Sequence, residues 1–377
     1  MNLSTSRLNE PFPQHRFGTM KRLPLAAAMA AVFFLLLWFV ALRQAALLLV
    51  GIGMGAALAG TRFGFTTGWR SLAEGRDPQG VVGQLLLLGA AATLCMPLLG
   101  SFPELHAALG PPSVSLLLGA FVFGLTMQIA DGCGSGTLYK AGLGVPLNMG
   151  ILPLFALGSF VGSAHIDRWL ALGQTEPVAL VSDWGAGPTL AATWALLLLV
   201  GVGARWYAGW QRAWLGKRWV QGALALAVLA ALNLVIAGQP WGVVYGFGLW
   251  GAKLAQAAGA FDPTTNVFWG QPGNALRLQQ TVLLDVTSIT NIGILGGALW
   301  VAAGKAPETT KPLTKRQWAV GLLAGFLMGY SARLAFGCNV GAMLSGISTG
   351  SLHGWIWAPM AFAGTLIGIR VRRHFGF

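Results

Sequence analysis

Apolar runs follow one another along almost the whole of this chain, at roughly 24–42, 44–60, 80–100, 113–130, 147–164, 189–204, 219–237, 241–258, 281–303, 317–335 and 354–369. Many reach the ~17–25 residues that cross a bilayer as a helix. Charged residues are 9% of the chain and hydrophobic ones 55%, where soluble domains carry about a quarter charged. Soluble helices need polar faces, and these runs lack them, so a soluble helical protein is excluded. Sixteen Trp and 54 Gly suit a polytopic bundle, with Trp at the interfaces and Gly where helices approach closely.

The placement of charge orients such a bundle. The formal net charge is +13, and its cations gather at the ends of the apolar runs. Arg16, Lys21 and Arg22 precede the first run, which is too long for a cleaved signal peptide and reads as a retained helix after a cytoplasmic segment 1–23. Arg205, Arg212, Lys217 and Arg218 mark one loop as cytoplasmic, and Lys305, Lys311, Lys315 and Arg316 mark another. Arg370, Arg372 and Arg373 do the same for the C-terminus, with 371–377 as a basic tail. The loop 165–188, with Asp167, Glu176 and Asp183, reads as extracytoplasmic. Charge split among membrane-edge loops is a poor nucleic-acid footprint, and no nucleic-acid partner is expected.

Two segments 205 positions apart carry the same pattern. One holds Asp131-Gly132-Cys133-Gly134-Ser135-Gly136, the other Phe336-Gly337-Cys338-Asn339-Val340-Gly341. Laid over each other without a gap, they also match Phe121/Phe326, Gly124/Gly329, Ala130/Ala335, Leu147/Leu352 and Ala156/Ala361. An earlier pair, 51–62 over 242–253, extends the likeness and sets Arg62 against Lys253. These matches divide the chain into a first membrane repeat at 24–165, a linker with two connecting helices at 166–240, and a second repeat at 241–370. Glycine at the density seen around both cysteines bends backbone at membrane depth, which is tolerated only inside protein or along a cavity. Short re-entrant or broken helices are therefore expected to start near each Cys, with free N-terminal amides that favour an anion. If 241–258 also re-enters, the basic loops and the C-terminus share one side and the two repeats are inverted, as in many transporters. The expected fold is all-α and polytopic, built from two pseudo-symmetric, inverted repeats.

Chemistry-bearing residues are few. An isolated membrane cysteine is usually a small packing residue, and Cys95, in a plain apolar run without a repeat mate, fits that role. Cys133 and Cys338 recur in equivalent Gly-Cys-x-x-Gly turns, so they are taken, with Gly132, Gly136, Gly337 and Gly341, as lining a substrate path. Arg62, Lys253, Lys140 and Arg333 are the candidates for attracting an anion, since cations beside a thiol also favour the thiolate. The bland alternative for a membrane cation is snorkelling, and it is favoured for Arg70 and Arg277. Asp131, costly at membrane depth, is expected to pair with Lys140. His165 and His353 do not form a zinc pattern with any Cys, and hydrolase, phosphate-loop and carboxylate-dyad motifs are absent. Neither a metal, a cofactor nor an enzymatic activity is expected.

Gly-Cys-Asn-Val-Gly-Ala-Met-Leu-Ser-Gly-Ile at 337–347, Ser351-Leu-His-Gly-Trp355, Asp131-Gly-Cys-Gly-Ser-Gly-Thr-Leu-Tyr-Lys140 and Pro240-Trp-Gly together resemble the YeeE/YedE family of sulfur-compound transporters, in its YedE-like branch. The resemblance covers roughly 45–370. It implies an hourglass-shaped protein of the bacterial inner membrane that imports thiosulfate, with cysteines passing the anion along a narrow passage by S–H···S contacts. A small cytoplasmic sulfur-carrier protein is an implied partner. Cys133 and Cys338 match the family's two central cysteines. The thiosulfate-transporting branch has a further cysteine near the first Gly-rich motif, where this chain reads Arg62-Phe63-Gly64-Phe65. Cys95, on another helix, does not replace it.

A thiol is a weak donor, matched to a polarizable sulfur or selenium atom and poorly matched to strongly hydrated sulfate. Related chains are linked with selenium metabolism, so a selenium or other sulfur species stays open beside thiosulfate. Two rivals remain. Cys133 and Cys338 could form a disulfide or persulfide in a redox-active membrane protein. The chain could also be an accessory subunit handing sulfur to a carrier docked on its basic loops.

Overall fold

A computed structural model describes residues 21–211, 213–303 and 312–377. The segment 1–20 and the cations Arg16, Arg212, Lys305 and Lys311 lie outside the described residues. The described chain is helical and without named strands. Its elements are α1 (Arg22–Phe39), α2 (Leu42–Thr61), α3 (Phe65–Gly75), α4 (Gln79–Ser101), α5 (Val114–Ile129), α6 (Gly134–Gly142), α7 (Pro146–Ala164), α8 (Ile166–Leu170), α9 (Leu180–Trp184), α10 (Ala186–Ala208), α11 (Lys217–Ala237), α12 (Val244–Ala257), α13 (Pro272–Gln279), α14 (Val286–Ala302), α15 (Lys315–Leu334), a π-helical turn Asn339–Leu344 running into α16 (Ser345–Ser348), and α17 (Leu352–His374). Nine helical stretches among the described residues are long and apolar enough to cross a membrane.

Small residues set the helix pairings. Lipid tails are as apolar as leucine, so helices associate through close backbone approach. A Cβ on Gly51 would run into the carbonyl of Thr290, and one on Gly55 into that of Ile294, which locks α2 along α14 in the same direction. Gly124 meets Ala361, Gly364 meets Phe121 and Gly368 meets Leu125, so α5 and α17 also run parallel. Gly158 meets Phe326 and Gly162 meets Tyr330, which makes α7 parallel to α15. Between these pairs the direction reverses. Ser115, at the start of α5, donates to the carbonyl of Leu334 at the end of α15 (2.9 Å). Thus α5 runs opposite to α15, and α7 opposite to α17, their respective counterparts 205 residues on.

Contacts at the helix ends sort the chain into two faces. The ends of α5 and α17 meet through Arg372 and the carbonyl of Gln128 (2.9 Å). The start of α15 meets the end of α17 through Gln317 and the carbonyl of Gly376 (2.8 Å). The start of α1 joins the end of α14 through Arg22 and the carbonyl of Ala303 (3.1 Å). This face carries Lys217, Arg218, Lys315, Arg316, Arg372 and Arg373, and is called the basic face below. On the opposite face, Arg43 at the start of α2 bonds the carbonyls that end α11, and Ala108 donates to Thr349 (3.1 Å). Isolated bridges Ser113–Gln174 and Ala179–Ser351 tie its loops together.

α11 ends and α14 begins on that opposite face, so α12 between them makes no net crossing. Its N-terminus lies deepest, where Asn291 donates to the carbonyl of Val243 (2.9 Å) and Ser345 to that of Trp241 (2.6 Å). Its other end returns to the face, where Lys253 donates to the carbonyls of Leu278 (2.6 Å) and Gln280 (2.5 Å). The re-entrant reading of 241–258 therefore describes the geometry. Two expectations need correction. The pairing of 51–62 with 242–253 does not join like elements, because α2 crosses while α12 re-enters; in its packing partners α12 corresponds to α3, which re-enters from the basic face between α2 and α4. The tail 371–377 is not separate either: α17 continues to His374, and Arg372 folds back onto α5.

Candidate functional site

The two cysteine turns have the same local build. Asp131 (φ 54) and Phe336 (φ 58) both occupy the left-handed region, uncommon for non-glycine residues and a frequent mark of functional sites. A glycine follows each. A Cβ on Gly132 would stand 2.9 Å from the amide nitrogen of Thr137, and one on Gly337 would stand 2.6 Å from that of Ala342, its counterpart. Each cysteine then caps the short helix behind it in extended conformation (φ −78 for Cys133, −92 for Cys338). The amide of Gly136 donates to Cys133 Sγ (3.4 Å), and Ser135 Oγ lies 3.4 Å from the same sulfur.

α6 runs from Cys133 to Gly142, which packs on Leu295 and Ala298 near the basic end of α14. The second short helix runs from Cys338 to Thr349 on the opposite face. Their N-termini therefore converge in the interior, at the cysteines. A Cβ on Gly134 would lie 3.1 Å from Cys338 Sγ, so the second thiol rests against the first turn of α6. Both thiols are free and buried, 1% and 0% exposed. Two helix N-termini aimed at one point form an electropositive centre without a formal charge.

A pocket of about 10 Å3 reaches Cys133 from the basic face. Phe63, Gly64, Phe65, Thr66 and Thr67 form one wall, with Asp131, Cys133, Ser135, Tyr139 and Lys140 opposite. Asp131 gathers three cations there: Lys140 Nζ at 2.7 Å, Arg70 at 2.9 Å and Arg372 at 3.4 Å. Toward the opposite face, open space begins beside the second turn, since a Cβ on Gly341 or Gly242 would meet nothing within 4 Å. Space therefore lies on both sides of the two cysteine turns.

Residues 60–367 match the protein family described as sulphur transport. The chain belongs to that family. It is 28% identical over 263 residues to the thiosulfate transporter TsuA of Spirochaeta thermophila, covering 64% of this chain and 73% of that protein. It is 29% identical over 170 residues to the probable transporter YedE of Escherichia coli, covering 43% of this chain and 40% of that one, with a like match to YedE of Salmonella typhimurium. These relatives carry the names of transporters, and the chain is accordingly a multi-pass membrane protein of a sulfur-compound transport family rather than an enzyme.

Within this family member the sequence-derived candidates separate. Cys133, Cys338, Gly132, Gly136, Gly337 and Gly341 come together. Of the cations, Lys140 joins them through Asp131. Arg62 ends α2 in left-handed conformation beside Phe63, at the basic side. Arg333 lies toward the opposite face over the rings of Phe268 (4.7 Å) and Tyr245 (5.7 Å). Lys253, on the carbonyls of Leu278 and Gln280, is drawn to the α13 loop instead. Arg70, expected to snorkel, belongs to the Asp131 cluster, whereas Arg277 pairs with Asp285 (2.8 Å) at the start of α14. Cys95 is buried within α4, as a packing residue would be. Reading the sequence missed Arg372 and the Thr66–Thr67 wall. The absent third cysteine was one signal for that wall, because Phe63-Gly64-Phe65 faces Cys133 across the pocket.

Proposed function

We propose that this protein imports a small sulfur-containing anion, thiosulfate first, across the bacterial inner membrane through the passage held by Cys133 and Cys338. The convergence of two half-helix N-termini on these thiols carries the reading. It provides a positive centre for an anion and weak S–H donors for its terminal sulfur, while the nearby buried cation, Lys140, is already paired with Asp131. The basic face is cytoplasmic by the rule that positive loops stay inside. A solute arrives beside Gly242 and Gly341, passes Cys338 and then Cys133, and leaves toward Lys140, Arg70 and Arg372. The pocket at Cys133 holds about one water, so the Phe63–Thr67 wall or the Asp131 cluster must yield during passage. The same face offers a cationic surface to a small sulfur-carrier protein.

Uptake of radiolabelled thiosulfate into proteoliposomes tests this. Wild-type protein should transport, and Cys133→Ala and Cys338→Ala should each lose at least roughly tenfold in rate, a loss equivalent to about 1.4 kcal/mol. Uptake that survives both changes would return the thiols to packing. A second reading rests on the wall Phe63-Gly64-Phe65, which carries no third thiol: two facing cysteines suit a selenium or other sulfur species, or persulfide formation. Competition of thiosulfate uptake by selenite, and mass analysis of Cys133 and Cys338 after exposure to substrate, distinguish these.

A further inference from the structure

The two cysteine turns differ most at the residue after the thiol. In the first it is Gly134, whose bare Cα makes room for Cys338 Sγ. In the second it is Asn339, fully buried at 0% exposure, with neither its amide nitrogen nor its amide oxygen hydrogen-bonded. A buried primary amide without partners is costly, and buried polar groups in proteins are otherwise paired almost without exception. The backbone around it is unusual as well. Asn339 opens the π-helical turn Asn339–Leu344, whereas the equivalent residues 134–139 are ordinary α-helix. Single π-turns inside helices are a recurring feature of functional sites. The turn packs against α6, which places Asn339 at the junction of the two cysteine turns.

We infer that Asn339 is the substrate-orienting residue of the passage: its amide N–H groups hold the oxygen end of the anion while the terminal sulfur rests among the thiols of Cys133 and Cys338. The inference rests on the transport reading above and adds the group that tells the two ends of the anion apart. An amide suits this task. It donates to an oxyanion without a formal charge, so the ion is held at a cost low enough to leave. Its oxygen can in turn accept a thiol proton. A cation at the same point would bind too tightly, and an aliphatic side chain would leave the oxygens unpaired. The unpaired amide is then the group that the oxygen end of the anion would satisfy, as in sites built to hydrogen-bond one ligand group.

The test compares Asn339→Leu, which keeps the volume and removes the polar atoms, with Asn339→Gly, which copies the first unit. Thiosulfate uptake is measured as a function of concentration in proteoliposomes, and thermal unfolding is measured in detergent without substrate. Both variants should raise KM at least tenfold, and Asn339→Leu should unfold no earlier than wild type, because an unpaired buried amide has been removed. Added thiosulfate should raise the unfolding temperature of wild type and fail to raise that of either variant at the same concentration. Wild-type KM in both variants would overturn the inference while leaving the transport reading intact. Loss of folded protein in both would assign the amide to packing and overturn it too. Wild-type protein that neither binds nor moves thiosulfate would overturn the transport reading, and this inference with it.

Discussion

The two cysteine turns share a left-handed residue, a glycine and a cysteine, and differ in the helix behind them and in what surrounds them. Toward the basic face, Asp131 collects Lys140, Arg70 and Arg372. Toward the other, Phe336 stands at the same left-handed position, its ring near the site where a Cβ on Gly110 would go, 2.9 Å away. The half-helix behind Cys133 is α-helical with a glycine first, and the one behind Cys338 begins as a π-turn with an asparagine first. The shared part, a left-handed residue, a glycine and a cysteine at the N-cap, creates the converging N-termini. The unshared part makes the two sides unlike: three cations meet Asp131 on one, and on the other Arg333 is covered by Phe268 and Tyr245.

Backbone changes should break the comparison most severely. Gly337→Ala places a Cβ against the amide of Ala342 at φ +153, a conformation that side chains rarely adopt, and should cost on the order of 4 kcal/mol. Gly132→Ala meets the amide of Thr137 at 2.9 Å without a positive φ, and about 2 kcal/mol is expected. Denaturant unfolding in detergent would measure both; equal losses would mean that the two turns are alike in strain and that the difference in φ has no energetic weight.

The charge difference comes next. Asp131→Asn keeps the shape and leaves Lys140, Arg70 and Arg372 without their common carboxylate. Removing one partner from a buried ion cluster is strongly destabilising, and the 20% exposure of Asp131 moderates the cost to about 2–3 kcal/mol. Phe336→Leu, at the equivalent position, should cost less than about 1.5 kcal/mol. A melting curve for each decides. If Asp131→Asn unfolds no earlier than Phe336→Leu, the carboxylate does not organise the basic mouth.

Much of this was legible in the chain because a motif that recurs at a fixed spacing carries geometry. A cysteine flanked by glycines, repeated 205 residues later, marked both half-helix N-caps; apolar length marked the crossings; and the cost of Asp131 at depth marked its pairing with Lys140. What escaped notice depended on long-range packing. Arg372 follows a basic stretch that reads as a membrane-edge tail, and only the direction of α17 alongside α5 brings it to Asp131. Phe65–Gly75 is too short and too polar for a spanning run, so α3 left no apolar signal. Arg62 and Lys253 follow similar glycine patterns, yet glycine spacing reports close packing in a crossing helix and in a re-entrant one alike, and in both α2 and α12 glycines lie against neighbouring helices. The π-turn at Asn339 has no signature in composition at all.

The smallest structural effect should separate passage from packing. Gly136 and Gly341 are equivalent, but a Cβ at Gly136 would rest 3.4 Å from Cys133 Sγ, an ordinary contact, while one at Gly341 would meet nothing within 4 Å. Alanine at either position should therefore shift stability by no more than ~0.5 kcal/mol, the range of substitutions that disturb no packing. Transport should respond differently. A methyl at 341 enters the open space before Cys338 and narrows it slightly, whereas a methyl at 136 crowds the sulfur that receives the anion next. Gly136→Ala should slow thiosulfate uptake severalfold and Gly341→Ala by less, with thermal unfolding unchanged in both. Equal, wild-type uptake in the two variants would show that neither space is travelled, and would move the path away from the cysteine turns that the duplication set face to face.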